Sequence, residues 1–334
     1  MIKENYLIKK REDWTAQDCI KIDNFIMKGS TTGEFINTLN YLNYHPEGRF
    51  EDDSIAVFDN GCGEIRGVLV AAKTGINMVE SYPGTTFAGP VIDRTSNLDV
   101  IETVMDMILE YYESKYKKIK IKRIPDYYTG QPFHLIDYIL LRRGYVYGIS
   151  ALANIVDLRN VKTEEDIWKL FSPRKRNQTR KVMKEQVLVF TEGGVRQNVW
   201  ANMNQNLKSK YDTKTTHTFD EIQELLKRCP EHMKAYYVDT VDGECAAFAL
   251  GYLYKNVFHT QYLDMDYRYA GKCPNQMLIF ELMRIARRMG YTYFSFGAST
   301  ENGGEILNRG LYNYKMGYGG GDVVLPVYVK ESAE

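Results

Sequence analysis

The chain has 334 residues, enough for two domains of ordinary size. With 44% hydrophobic and 26% charged residues it has the make-up of a globular protein, not of a disordered or membrane-spanning one. Lysine plus arginine and aspartate plus glutamate number 43 each, so no net field draws the chain to DNA or to an acidic membrane, and any anion site must be local.

The first strands are predicted over residues 54–58 and 65–72, joined by the turn Asn60-Gly61-Cys62-Gly63, with a third over 76–80. A helix is predicted over 98–116, with Val100, Val104, Met107, Ile108 and Tyr111 inward. A strand over 118–124, a short helix over 134–143 and a strand over 146–158 follow. A polar linker lies near 157–165. Ser172 as N-cap and Pro173 in the first turn then open a basic helix.

Strands over 235–240 and 245–254 flank the turn Asp242-Gly243, and a third covers 257–264. Pro274 and Asn275 open a helix that runs to Met289, with the stripe Leu278, Leu282, Ile285, Ala286 and Met289, and Gly290 stops it. A strand over 291–296, a short helix over 306–315 and a last strand over 323–329 complete the chain. Both halves thus read hairpin, third strand, long helix, strand, short helix, strand. Arg143-Gly144-Tyr145 and Met316-Gly317-Tyr318 even take the same place. This predicts an α/β chain with mixed (α+β) sheets, built from two copies of one domain over 1–160 and 161–334.

The cysteines, Cys19, Cys62, Cys229, Cys245 and Cys273, are odd in number and lack the spacing of a disulfide framework or zinc site. A reducing cytoplasm and no metal are expected. The first residues carry no apolar targeting run, and the most apolar stretch, 245–254, is too short to cross a bilayer, so no stable membrane insertion is expected. Tyrosine is abundant, 26 against 3 tryptophans, which suits clefts that need ring area and a hydroxyl.

Two stretches carry chemistry. Residues 174–184 hold six positive charges, and Arg176, Arg180 and Lys184 recur every four residues on one helical face, with Asn177 and Lys181 beside them. Such a face grips a phosphate-bearing substrate or is simply a solvated surface. Lys315 stands just before the Gly-rich run 317–321, a cation beside flexible backbone at the open end of a sheet. That suits a phosphate or a developing oxyanion. The same glycines also suit the end of a helix and the start of a strand. Asp264 and Asp266 close a strand as turn residues or offer a base. His259 reads as structural, and Cys273, followed by proline with no histidine near in sequence, as a poor nucleophile.

Residues 172–184 with the strand after them, Phe87-Ala88-Gly89-Pro90-Val91, and Tyr314-Lys315-Met316-Gly317-Tyr318-Gly319-Gly320 together resemble the Fem-type branch of the GNAT acyltransferases. That branch consists of tandem GNAT proteins and includes the aminoacyltransferases of peptidoglycan cross-bridges and relatives that acylate sugars or lipids. The resemblance implies a cytoplasmic enzyme with acyl-CoA, an acyl carrier protein or aminoacyl-tRNA as donor. The acceptor is an amine of a cell-envelope precursor or sugar. Direct attack by that amine needs no covalent enzyme intermediate.

By the same resemblance, Lys315, Tyr262 and Asp264 are the catalytic set. Gly271, Lys272, Asn275, Gln276 and Tyr314 meet the donor phosphates, and Arg176, Arg180, Gly89 and Pro90 meet the acceptor. The second domain carries the chemistry, and the first is structural and lines the acceptor groove. The loop 270–275 departs from the pattern, with one glycine and one proline where a pyrophosphate loop is Gly-rich. Two other readings stand beside this one: an aminoacyl-tRNA-dependent peptidoglycan-bridge aminoacyltransferase, and a non-catalytic GNAT-like binding or scaffold protein.

Overall fold

A parallel strand pair joined by a long amphipathic helix organises each half of the chain. The computed structural model describes residues 3–30, 32–93 and 95–332. It divides into two units, Met1–Ala151 with Val324–Glu334, and Leu152–Val323.

In the first unit Met78–Glu80 runs parallel to Lys118–Lys122, and the helix Leu98–Glu113 lies between them in sequence. Asn97 caps this helix by accepting from the amide of Val100. Its buried stripe, including Ile101, Val104, Ile108 and Tyr112, packs on Ile55, Val57, Leu69, Ile119 and Ile121. One sheet orders Tyr6–Lys10, Ile55–Asp59, Ile65–Leu69 and Val91–Ile92. The other orders Glu51–Asp52, Ala72–Gly75, Met78–Glu80, Lys118–Lys122, Val327–Glu331 and Val146–Tyr147.

Three strands expected to be continuous are broken, and each break moves the chain between sheets. Residues 65–72 split into Ile65–Leu69 and Ala72–Gly75. Residues 146–158 split into Val146–Tyr147 and Ala151–Asp157, with Gly148 packed against Val329 at the bend. Residues 323–329 split into Gly321–Leu325 and Val327–Glu331 on either side of Pro326, which has no amide to continue a ladder. Val327–Glu331 then pairs antiparallel with Lys118–Lys122. The end of the chain therefore completes the first unit, and the first division falls between Ala151 and Leu152, ahead of the expected boundary at residue 160.

The elements of the second unit are numbered here: β1 Ala151–Asp157, α1 Glu164–Leu170, α2 Pro173–Glu185, β2 Leu188–Gly193, α3 Gln197–Tyr211, α4 Phe219–Arg228, β3 Met233–Thr240, β4 Cys245–Leu253, β5 Val257–Met265, α5 Pro274–Arg288, β6 Tyr293–Ala298, α6 Arg309–Met316 and β7 Gly321–Leu325. They form one seven-stranded sheet in the order β2-β3-β4-β5-β6-β1-β7. All neighbours named by register are antiparallel except β5 and β6, which α5 connects.

Both faces of this sheet are covered. On one, α5 buries Leu278, Ile279, Leu282 and Ile285 with α1 and α2, and Trp168 stacks on Phe280 with ring centroids 4.1 Å apart. On the other, Trp200 of α3 meets Phe248 of β4 and Tyr262 of β5 edge-on. Each buried ring contributes roughly 2–3 kcal/mol, so the alternation along β4 and β5 decides which side chain faces which helix layer.

Candidate active site

The parallel pair of β5 and β6 is short. Its register runs Val257↔Tyr293, Phe258↔Phe294, His259↔Ser295 and stops, although β5 continues to Met265 and β6 to Ala298. Each strand is drawn away by its outer neighbour. β5 shifts register against β4 where Leu250 faces Tyr262 and Gly251 faces Thr260, leaving Gln261 as the extra residue. β6 shifts against β1 at Asn154/Ile155, leaving Phe296 extra. Such bulges bend a strand out of its ladder. The result is a fork whose inner edge on β5 can take an extended ligand as a strand takes a partner.

Lys315 reaches the β6 side of this fork. Asn308 caps α6 by accepting from the amide of Leu311, and Lys315 lies in the last turn, 5% exposed. Its Nζ donates to the carbonyls of Gly297 at 3.0 Å and Ala298 at 2.5 Å. Burial brings its pKa down to about 7. Gly297 has φ +70°, which turns the strand end and lets successive carbonyls face one amine. His259, fully enclosed, is held neutral at a pKa of about 4, by burial first and by Lys315 second. The amine is thus interior rather than beside flexible backbone. The glycines after it serve close packing, since a Cβ at Gly319 would lie 2.6 Å from Leu170.

The basic helix α2 does not act as one face. Ser172 caps it and Pro173 is its first residue. Lys175 turns inward, with Nζ 3.9 Å from the ring centre of Tyr314 and 4.7 Å from that of Tyr318, and burial lowers its pKa to about 8. Arg176 folds back to donate to the Phe171 carbonyl at 3.1 Å, so it holds the chain entering the helix. Arg180 lies over Trp168 and stays half in solvent.

Several expected donor residues do meet at the start of α5. Asn275 hydrogen-bonds Tyr314 through its side chain, and Gln276 donates to Gln178 of α2 at 3.2 Å. Cys273 precedes them at φ +55° without a side-chain cap. Gly271 and Lys272 are exposed in the turn Tyr267–Lys272, Lys272 lying over Tyr269.

Tyr262 and Asp264 face α3. The Tyr262 hydroxyl lies 2.7 Å from His217 Nδ1, and Asp264 accepts from Asn206 at 2.9 Å, its carboxyl raised by burial. Asp264 lines a cavity of about 600 Å³ with Arg196, Asp239, Cys245 and Arg268. Asp266 is held by Arg268 at 2.7 Å. Gly89 and Pro90 belong to the first unit and are buried there, and a Cβ at Gly89 would meet Ile121 at 2.9 Å. Among the described residues no cluster of His, Cys, Asp or Glu could hold a metal, and no helix is long and apolar enough to cross a membrane.

Residues 174–316 match the family model of the acetyltransferase (GNAT) domain. These residues are a GNAT acetyltransferase domain. The match spans the fork, Lys175 and Lys315, and it makes the protein an acyltransferase. The sequence matches no curated protein. Among solved structures, the crystal structure of FemX is similar over 94% of this chain and 96% of its own, at 13% identity and a TM-score of 0.67. L-PGS from Bacillus licheniformis is similar over 84% of each chain, at 14% identity and a TM-score of 0.54. A tandem GNAT protein from the clavulanic acid biosynthesis pathway is similar over 98% and 99%, at 9% identity and a TM-score of 0.54. At these identities the likeness is one of fold, and the fold is the tandem GNAT arrangement.

The two GNAT-like units differ at the fork. In the first, the parallel strands stay stitched past their last pair. The Ser81 amide bonds Lys120, the amides of Ala88 and Gly89 both bond Lys122, and Gly89 bridges Arg123. The Lys122 amine fills the gap against the carbonyls of Tyr82 and Thr85. The open fork belongs to the GNAT domain of the second unit. The sequence singles out neither Lys175 nor Ser295, and it reads His259 as structural. The spacing 175, 179, 182 was the available signal for Lys175, since it shares a helical face with buried Thr179 and Val182.

Proposed function

We propose that the second unit moves an acyl or aminoacyl group from an activated, phosphate-bearing carrier to an amine of a cell-envelope precursor or sugar. The observation that carries this reading is the open fork of β5 and β6 with the Lys315 amine at its edge. The donor carbonyl lies along the inner edge of β5. The acceptor amine attacks it directly, forming the new C–N bond. The third Nζ position of Lys315, the one not directed at Gly297 or Ala298, supports the oxyanion that develops. The carrier thiol or hydroxyl then leaves as the C–S or C–O bond breaks, and the amine proton passes to water or to Asp264, whose raised pKa suits a base. Tyr262 lines the same side of β5 as Asp264. Lys175 and Tyr314, with Asn275 and Gln276 at the start of α5, meet the carrier phosphates, and Gly271 and Lys272 flank them. Arg180, half in solvent over Trp168, remains on the acceptor side of the proposal. The free cysteines fit a cytoplasmic setting.

A second reading keeps the chemistry and changes the donor to aminoacyl-tRNA, with a peptidoglycan precursor as acceptor. Pro274 favours it, because it removes an amide from the first turn of α5, where a pyrophosphate would bind. Calorimetric titration with CoA and acetyl-CoA tests both. Saturable binding that weakens in Lys175→Ala supports the thioester donor. No binding at millimolar ligand rejects it and turns the search to charged tRNA or a carrier protein.

A further inference from the structure

His259 and Ser295 form the last pair before the fork opens, and both are buried. His259 Nδ1 lies 3.0 Å from Ser295 Oγ. The same Oγ accepts the amide of Gly297 at 3.2 Å. The carbonyl of Gly297 in turn accepts Lys315 Nζ. One tautomer satisfies the whole chain. The Gly297 amide donates to Ser295 Oγ, the Ser295 hydroxyl donates to Nδ1, and the ring proton sits on Nε2, with the Gln261 side chain also bonding the ring. The imidazole is also packed against the strand turn, since a Cβ at Gly297 would lie 3.0 Å from His259 Cε1.

We propose that His259 is a positioning residue for acyl transfer: acting through Ser295 and Gly297, it holds the Lys315 amine at the fork. The role assigned to Lys315 rests on the proposed function, whereas the holding of its amine does not. A row of buried polar groups costs free energy that an apolar trio would not, and it is retained only where every member is satisfied. Here the row ends on the Lys315 amine, at the β6 side of the fork. Other groups packed nearby do not supply a competing charge. β1 contributes Asn154, which accepts from Ser299 and donates to Met316 sulfur. The Tyr254 ring stands 6.0 Å from His259, and Lys175 of α2 is turned to Tyr314 and Tyr318. His259 is itself uncharged near neutrality, so its replacement reaches Lys315 through position and burial, not through lost charge.

The test is competitive labelling of the intact protein with acetic anhydride across pH 5–11, with Lys315 modification read by peptide mass spectrometry. It needs no donor or acceptor, so its outcome is independent of whether the donor binds. The wild type is expected to show a Lys315 midpoint near neutrality. Ser295→Ala and His259→Leu should move that midpoint up by about one pH unit or more, toward an ordinary lysine, as the amine leaves its carbonyl cradle for water. His259→Asn, which keeps an acceptor near the Nδ1 position, should stay close to wild type. An unchanged midpoint in Ser295→Ala, a substitution that removes one hydroxyl and is the least disruptive of the set, overturns the proposal even if His259→Leu fails to fold. So does a wild-type midpoint at the ordinary lysine value.

Discussion

Lys315 Nζ donates to the Gly297 carbonyl at 3.0 Å, and Gly297 can present that carbonyl because it turns at φ +70° with no side chain to meet His259. The buried lysine and the strand-end glycine are thus one construction. Replacing Gly297 by alanine forces a left-handed backbone on a residue with a Cβ and drives that Cβ into the imidazole. We expect Gly297→Ala to lose about 1–3 kcal/mol of stability in urea denaturation. Gly271→Ala, in open space at ordinary φ, should stay within about 0.5 kcal/mol of wild type.

Lys315 also makes stability depend on pH. Its folded pKa, about 7, is below the unfolded value of about 10.4. Between these values the unfolded chain binds more protons, so this group makes stability rise as pH rises from about 7 toward 10. Lys122 and Lys175, both lowered to about 8, contribute with the same sign. The expected result is that wild-type stability climbs relative to Lys315→Met across pH 7 to 9.5. Parallel curves in chemical denaturation would contradict this.

Substrate turnover should respond to the same lysine. If its third Nζ position meets the oxyanion, Lys315→Met should lower kcat by about 10²–10³-fold with little change in donor affinity. A change confined to KM would place the amine on the carrier instead.

Lys175 is the cation over the Tyr314 ring of α6, which Asn275 at the start of α5 hydrogen-bonds. With its pKa near 8, it is charged at neutrality and loses its proton above that value. Affinity for a phosphate-bearing donor should fall as pH rises through 8, and Lys175→Ala should remove that dependence. Arg180→Ala, in the half-exposed position over Trp168, should leave it in place.

The C-terminal strand offers a test of the architecture. Truncation after Pro326 removes Val327–Glu331, the neighbour of both Lys118–Lys122 and Val146–Tyr147. Hydrogen exchange should accelerate at Lys118–Lys122, in the first unit, far more than along β3 or β4.

Local pattern was enough for much of this protein. The helix cap at Ser172, the stripe of α5 from Leu278 to Ala286 (Met289, expected in it, is exposed past the helix end), the Asp242-Gly243 turn and the order of elements in each half are short-range properties, set by spacing and by residues that satisfy free amides. The motif around Lys315 likewise pointed to the GNAT domain over residues 174–316. Sheet membership was not legible, because a strand's apolar alternation is the same whichever sheet it joins. Residues 65–72, 146–158 and 323–329 each read as one strand, yet each is shared between two sheets. Side-chain direction was hidden for the same reason. Arg176 and Lys175 are adjacent cationic residues, but the packing of α2 turns Lys175 to Tyr314 and Arg176 to the Phe171 carbonyl. His259 became part of the site only when the parallel register ended at Ser295. That ending depends on a bulge against β4, the hairpin neighbour of β5, and on another against β1, which is remote in sequence from β6, so the fork needs a local and a long-range pairing together.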